Sequence, residues 1–144
     1  MHVSDLLSFL VTGDPLSADE RAEVRNEVSF SAAVDGHLAW RQCLIDTVVG
    51  SAAAPMHCVE VCDETGCLLG RWLDGAGKRR YGDLPSFGEL GAQHSRFHQL
   101  ACEILELSSS GRKEDAMHLI DGEFLSVSTE IIARMQRLRS VFGS

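Results

Sequence analysis

The sequence has little proline and few aromatic residues, and it has fewer basic than acidic side chains. Its 144 residues include 3 prolines, 2 tryptophans and 1 tyrosine, and 13 Lys and Arg stand against 21 Asp and Glu. With 44% hydrophobic residues, this composition excludes a disordered or fibrous chain and is typical of one soluble domain. The net charge of −8 argues against a nucleic-acid surface, because binding to phosphate depends on clustered Lys and Arg.

Long hydrophobic runs and a secretion signal are also missing. No stretch approaches the ~20 apolar residues that a membrane-spanning helix needs, and the N-terminus lacks a basic region before its short apolar run. The 5 cysteines are an odd number, so we expect no disulfide framework. We therefore expect a cytoplasmic protein with no membrane contact and with reduced thiols.

The spacing of the apolar residues predicts an all-α fold. After a lead-in over residues 1–16, a capping box at Ser17–Glu20 begins a helix that runs to about Gly50. A short helix follows over Cys67–Leu73, and residues 74–78 are expected to form a turn. These segments belong to a predicted domain over residues 17–144.

Two more long helices complete the predicted bundle. A second capping box, Ser86–Glu89, begins a helix that runs to about Leu107. The last helix has an inward stripe with spacings of three and four, made of Ala116, Ile120, Phe124, Val127, Ile131, Met135 and Leu138. Three long helices and one short helix predict an antiparallel bundle resembling a four-helix bundle.

Three of the 6 histidines lie on inward-facing stripes, His37 on the first long helix and His94 and His98 on the next. Residues four apart share one face of a helix, so His94 and His98 present two imidazoles to one point. A single histidine of this kind is more often a core residue bonded to a carbonyl. Three buried imidazoles each need partners, and one metal ion would satisfy all of them.

A cysteine is the natural fourth ligand of such a site. Cys67 begins the short helix, where the helix dipole favours a thiolate. Cys58 and Cys62 remain possible by spacing, and Cys102 could also approach the two histidines of its helix. We expect these three and Cys43 to be small buried hydrophobic residues instead. Three His and one Cys form a closed tetrahedral set, which suits Zn²⁺ best.

Three short motifs carry a resemblance to a known family. They are His37-Leu38-Ala39-Trp40, Cys67-Leu68-Leu69-Gly70-Arg71-Trp72 and His94-Ser95-Arg96-Phe97-His98. The candidate ligands are separated by 30, 27 and 4 positions. In this order and spacing the chain resembles the chemoreceptor zinc-binding (CZB) domain, over roughly residues 28–140.

The resemblance implies a set of site residues and a cofactor. One Zn²⁺ per chain would be bound by His37, Cys67, His94 and His98. The residues expected to pack around the site are Trp40, Leu69, Gly70 and Trp72. Four protein ligands leave no position for a catalytic water, so we expect no enzymatic activity.

The family further implies a sensory module that responds to zinc or to oxidants such as hypochlorous acid through Cys67. Members of this kind are typically homodimers that regulate chemoreceptors, diguanylate cyclases or similar proteins. Because no output domain follows Ser144, we expect a stand-alone member that signals to a partner in trans.

Two alternatives remain. In the first, zinc only staples a dimeric structural adaptor that has no sensing role. In the second, the bundle holds iron. Di-iron bundles need Glu-x-x-His spacing, and the positions three residues before the histidines hold Val34, Gly91 and Ser95, so this alternative is poor.

Overall fold

A computed structural model shows that the chain folds as an all-α helical bundle, which confirms the predicted fold class. It describes residues 17–52, 55 and 67–142, and no strand occurs in these ranges. The predicted lead-in over residues 1–16 lies outside them. The helices are α1 (Ala18–Val49), α2 (Leu68–Asp74), α3 (Ala76–Tyr81), α4 (Pro85–Ser109), α5 (Lys113–Leu119) and α6 (Leu125–Phe142). A π-helical segment, Ile120–Phe124, joins α5 to α6.

Helix α1 begins and ends where the sequence predicts. The Ser17 hydroxyl accepts the Glu20 N–H at 3.1 Å, and the Glu20 carboxylate accepts the Ser17 N–H at 3.0 Å. These two bonds form the predicted capping box. At the other end Gly50 has φ 85, a left-handed conformation that glycine adopts without strain.

The second predicted capping box is wrong. Helix α4 begins at Pro85, and the N-cap residue is Leu84, which makes no side-chain cap bond. Proline suits the first helical position because its missing N–H would have no partner there and its φ is already helical. Ser86 therefore lies inside the first turn and cannot act as the cap.

The turn predicted over residues 74–78 is also wrong, since only Gly75 separates α2 from α3. Tyr81, in the last turn of α3, is buried against Trp72, with 5.9 Å between the ring centroids. Burial of this aromatic side chain favours a helix over an exposed loop for residues that carry two glycines.

Helix α4 lies at the centre of the described bundle and packs against α1, α5 and α6. Its buried side chains form a wider stripe than the sequence predicts, and they are Leu90, His94, Phe97, His98, Leu100, Ala101, Ile104 and Leu105. This stripe places both α4 histidines in the core. None of the helices described is long and apolar enough to cross a membrane.

The π-helical segment changes the register of the last helix. In a π-helix the bonds run from i to i+5, so the turn is wider than in an α-helix. Phe124 remains fully buried and stacks on Phe97, with 4.7 Å between the ring centroids. The next fully buried position is Ser128, whereas Val127 is only half-buried. Val127, the predicted core residue, packs against the edge of the core, and Ser128 takes the fully buried position at this turn.

The close packing of Gly77 on Trp72 gives a direct test of the fold. A Cβ atom on Gly77 would lie 2.7 Å from ring atoms of Trp72, and this ring is held in the core beside Phe30. We expect Gly77→Ala to lower the free energy of unfolding by about 1–3 kcal/mol, as overpacking does. Urea denaturation measures this change.

Gly88→Ala is the matched control, since a Cβ there meets nothing within 4 Å. This variant should keep wild-type stability or gain up to about 1 kcal/mol from helix propensity. Equal stability of the two variants would contradict the packing of α3 on α2.

Candidate metal centre

Cys67 is held in place by the start of α2. It is the N-cap residue, with φ −92 and ψ 160, and its sulfur accepts the Gly70 N–H at 3.2 Å. The thiol thus takes the place that a serine or aspartate oxygen usually has at a helix N-terminus. This bond orients the sulfur before any metal is bound.

Helix α4 brings two imidazoles to the same point. His94 and His98 are one turn apart, and their Nε2 atoms are 3.1 Å from each other. The Cys67 sulfur lies 3.3 Å from Nε2 of His94 and 3.5 Å from Nε2 of His98. Both histidines are 2% exposed, whereas Cys67 is half-buried. Three donor atoms of the predicted ligand types therefore meet in one cluster.

The spacing of these atoms fits tetrahedral zinc. With ordinary Zn–N and Zn–S bond lengths, two ligand nitrogens lie ~3.3 Å apart and a nitrogen and a sulfur ~3.6 Å apart. The three observed distances come within about 0.3 Å of these values. Cys67, His94 and His98 are thus arranged as three ligands of one zinc ion, with little movement needed.

His37, the fourth predicted ligand, is not part of this cluster. It is 3% exposed, and its ring packs against Phe97 with 4.5 Å between centroids. Its Nε2 atom is 2.8 Å from the hydroxyl oxygen of Ser128 on α6. The structure therefore brings together three of the four predicted ligands and gives His37 a different polar partner.

Burial keeps the histidines ready to bind a cation. It lowers the pKa of His37 to about 4, with smaller contributions from Arg41 and His98. It lowers the pKa of His94 to about 3, with smaller contributions from His98 and His37. Both side chains are therefore neutral at pH 7 and keep a free lone pair, which metal binding requires.

Burial shifts the pKa of the Cys67 thiol in the opposite direction. Burial raises the pKa of Cys67, and the backbone N–H groups that face the sulfur, that of Gly70 first, partly oppose this effect. The metal-free protein therefore holds a protonated thiol at neutral pH. Uptake of a cation at this cluster must release that proton.

The residues predicted to pack around the site have different positions. The Trp40 ring lies 4.7 Å from the His98 ring and 5.3 Å from the Phe97 ring, so it covers one side of the cluster. Trp72 instead packs against Phe30 and Tyr81. Leu69 and Gly70 are buried on α2, where Leu69 belongs to the apolar core.

The two other cysteines of the described residues, Cys43 and Cys102, do not join the cluster. Cys43 is a free, half-buried thiol on α1. Cys102 is disulfide-bonded and half-buried, so our expectation of a reduced, buried thiol is wrong there. Cys58 and Cys62, which we considered as ligands, lie outside the described residues.

The sequence prediction missed two polar residues beside the site, Ser128 and Arg41. Ser128 is fully buried, and its oxygen accepts a bond from Arg41 Nη1 at 3.1 Å as well as contacting His37. Hydropathy selects Val127 for the inward position. Ser128 lies four residues after Phe124 and three before Ile131, so it fits the same helix face, and this spacing is the signal that the sequence contains.

The cluster predicts that single substitutions abolish tight zinc binding. Wild-type protein should bind about one zinc per chain, and His94→Ala should weaken binding by more than about 100-fold because it removes a direct ligand. Competition with a chromophoric chelator measures this affinity. His118→Ala, at an exposed position on α5, should bind zinc like the wild type. Equal affinity of the two variants would contradict the site.

The comparisons with known proteins agree with this geometry. Residues 37–105 match the family model described as the chemoreceptor zinc-binding domain. The matched segment begins at His37 and contains Cys67, His94 and His98. Neither a curated protein nor a solved structure matches the chain. The segment over residues 37–105 belongs to the chemoreceptor zinc-binding domain family.

Proposed function

We propose that this protein is a cytoplasmic sensory module, without catalysis of its own, in which zinc and Cys67 detect an oxidant or the zinc level. One observation carries the proposal: Cys67 belongs to the metal cluster and is also the N-cap of α2. A chemical change at one sulfur therefore alters both the site and the start of a helix.

The exposure of the three donors favours Cys67 as the reactive group. The histidines are 2% exposed, whereas Cys67 is half-buried, so a small reagent in solution reaches the sulfur first. Bound Zn²⁺ supplies positive charge that keeps this sulfur as a thiolate. The thiolate then reacts with hypochlorous acid to give a sulfenic acid and chloride.

Oxidation would have a structural consequence through α2. The sulfur would no longer be the acceptor that holds the Gly70 N–H at 3.2 Å. Helix α2 has only seven residues, so its position depends on this cap and on its packing. Its first residue, Leu68, packs against Gly36 of α1 so closely that a Cβ on Gly36 would lie 2.7 Å from Leu68 Cδ1.

This contact connects the site to the protein surface. Leu68, the residue after Cys67, is 48% exposed although it touches α1. A shift of α2 would therefore change the exposed apolar surface that Leu68 presents beside the site. We propose that a partner reads this change, with the chain acting as a homodimer and the partner being a chemoreceptor, a diguanylate cyclase or a similar signalling protein.

The shielding of the site supports one alternative function. Trp40 covers His98, and both α4 histidines are almost fully buried. A closed and unreactive zinc site would instead stabilise a dimeric structural adaptor. The response of Cys67 to an oxidant separates the two functions.

The test treats zinc-loaded protein with increasing hypochlorous acid. We expect zinc release, followed with a chelating dye, to parallel the gain of one oxygen at Cys67 in peptide mass spectra. Cys43→Ser keeps the cluster and removes the other free thiol of the described residues. This variant should release zinc like the wild type.

If the site keeps its zinc at several equivalents of oxidant and Cys67 stays unmodified, the sensory proposal is overturned and the structural adaptor is supported. Release in the wild type but not in Cys43→Ser would assign the reactivity to Cys43 and would also overturn the proposal.

A further inference from the structure

His37 has a polar partner outside the metal cluster. Its Nε2 atom lies 2.8 Å from Oγ of Ser128, which is completely buried. The same oxygen accepts a hydrogen bond from Nη1 of Arg41 at 3.1 Å. His37 and Arg41 are one turn apart on α1, and Ser128 is on α6. We call this arrangement the Ser128 position of His37.

The direction of the bond between His37 and Ser128 depends on which nitrogen of His37 carries the hydrogen. Arg41 has only N–H donors, so the Ser128 oxygen is the acceptor in their bond. The Ser128 oxygen has a second lone pair, and its hydroxyl has one proton to donate, so two tautomers of His37 fit this contact. In the tautomer with hydrogen on Nδ1, the hydroxyl donates to Nε2, and the lone pair that contacts Ser128 is the kind of lone pair that a zinc ion takes.

His37 cannot bind in both places without moving. Its ring nitrogens are not part of the group of donor atoms within 4.8 Å of one another, which Cys67, His94 and His98 form. We propose that Ser128 is a positioning residue that competes with zinc for His37, so that completing the ligand set requires His37 to leave the Ser128 position. This inference rests on the proposed zinc site and assigns a regulatory step to it.

Arg41 limits the cost of the exchange. When His37 leaves, the buried Ser128 oxygen still accepts its bond from Arg41, while the Ser128 O–H loses Nε2 of His37 as its acceptor. The contact between α1 and α6 loses one of its polar connections, while the ion pair of Glu27 on α1 with Arg139 on α6 remains. The binding of zinc therefore changes a contact of α6 as well as the start of α2.

Ser128→Ala tests the competition. The variant removes the competing hydroxyl, and a buried hydrogen bond of this kind corresponds to an affinity change of roughly 3- to 10-fold. We expect Ser128→Ala to bind zinc tighter by that factor in a chelator competition. Ser126→Ala, an exposed serine on the same helix, should bind like the wild type. Unchanged or weaker binding by Ser128→Ala would overturn the inference.

Two further measurements separate positioning from a general effect on folding. In a His37→Ala background, Ser128→Ala should leave zinc affinity unchanged, because no side chain remains to compete. In metal-free wild-type protein, nitrogen NMR should show Nε2 of His37 unprotonated. A protonated Nε2, or an effect of Ser128→Ala that persists without His37, would overturn the inference.

The inference and the proposed function can fail separately. Tighter zinc binding by Ser128→Ala with an inert Cys67 would support the competition and remove the oxidant sensor. A wild-type protein that binds no zinc would overturn both.

Discussion

The contact among Cys67, His94 and His98 is the interaction on which the rest of the structure depends. Buried imidazoles need partners, and these two have each other and one sulfur. Helix α4 brings the histidines together by its i, i+4 spacing, and the N-terminus of α2 supplies the sulfur. The short helix is therefore held by the cluster at its N-terminus together with its buried side chains, because seven residues alone would not hold a helix in water.

A second polar group lies in the same core, just after the π-helical segment. The Phe124 ring stacks on Phe97, which also contacts the rings of His37 and Trp40. One turn after Phe124, Ser128 is buried next to His37. The Phe97 ring also contacts His98 of the metal cluster, so the cluster and the Ser128 position adjoin the same aromatic side chain.

The sequence predicted the long helices, and the meeting of Cys67, His94 and His98, better than it predicted the connections. Spacing of three and four marks a helix face directly, and this identified the stripes that contain His37, His94 and His98. The second capping box failed because Pro85 had already begun the helix, and α3 was missed because its burial depends on the tertiary contact of Tyr81 with Trp72. Ser128 was missed because Val127 is the more apolar of the two residues, although Ser128 has the spacing of four from Phe124 that marks one helix face.

Zinc K-edge X-ray absorption of the loaded protein tests the central claim most directly. The account predicts one sulfur at about 2.3 Å and three nitrogens at about 2.0–2.1 Å, which requires His37 to join the three clustered donors. A shell that contains no sulfur, or one that is unchanged when Cys67 is replaced by serine, would contradict the claim that Cys67 joins the metal to α2.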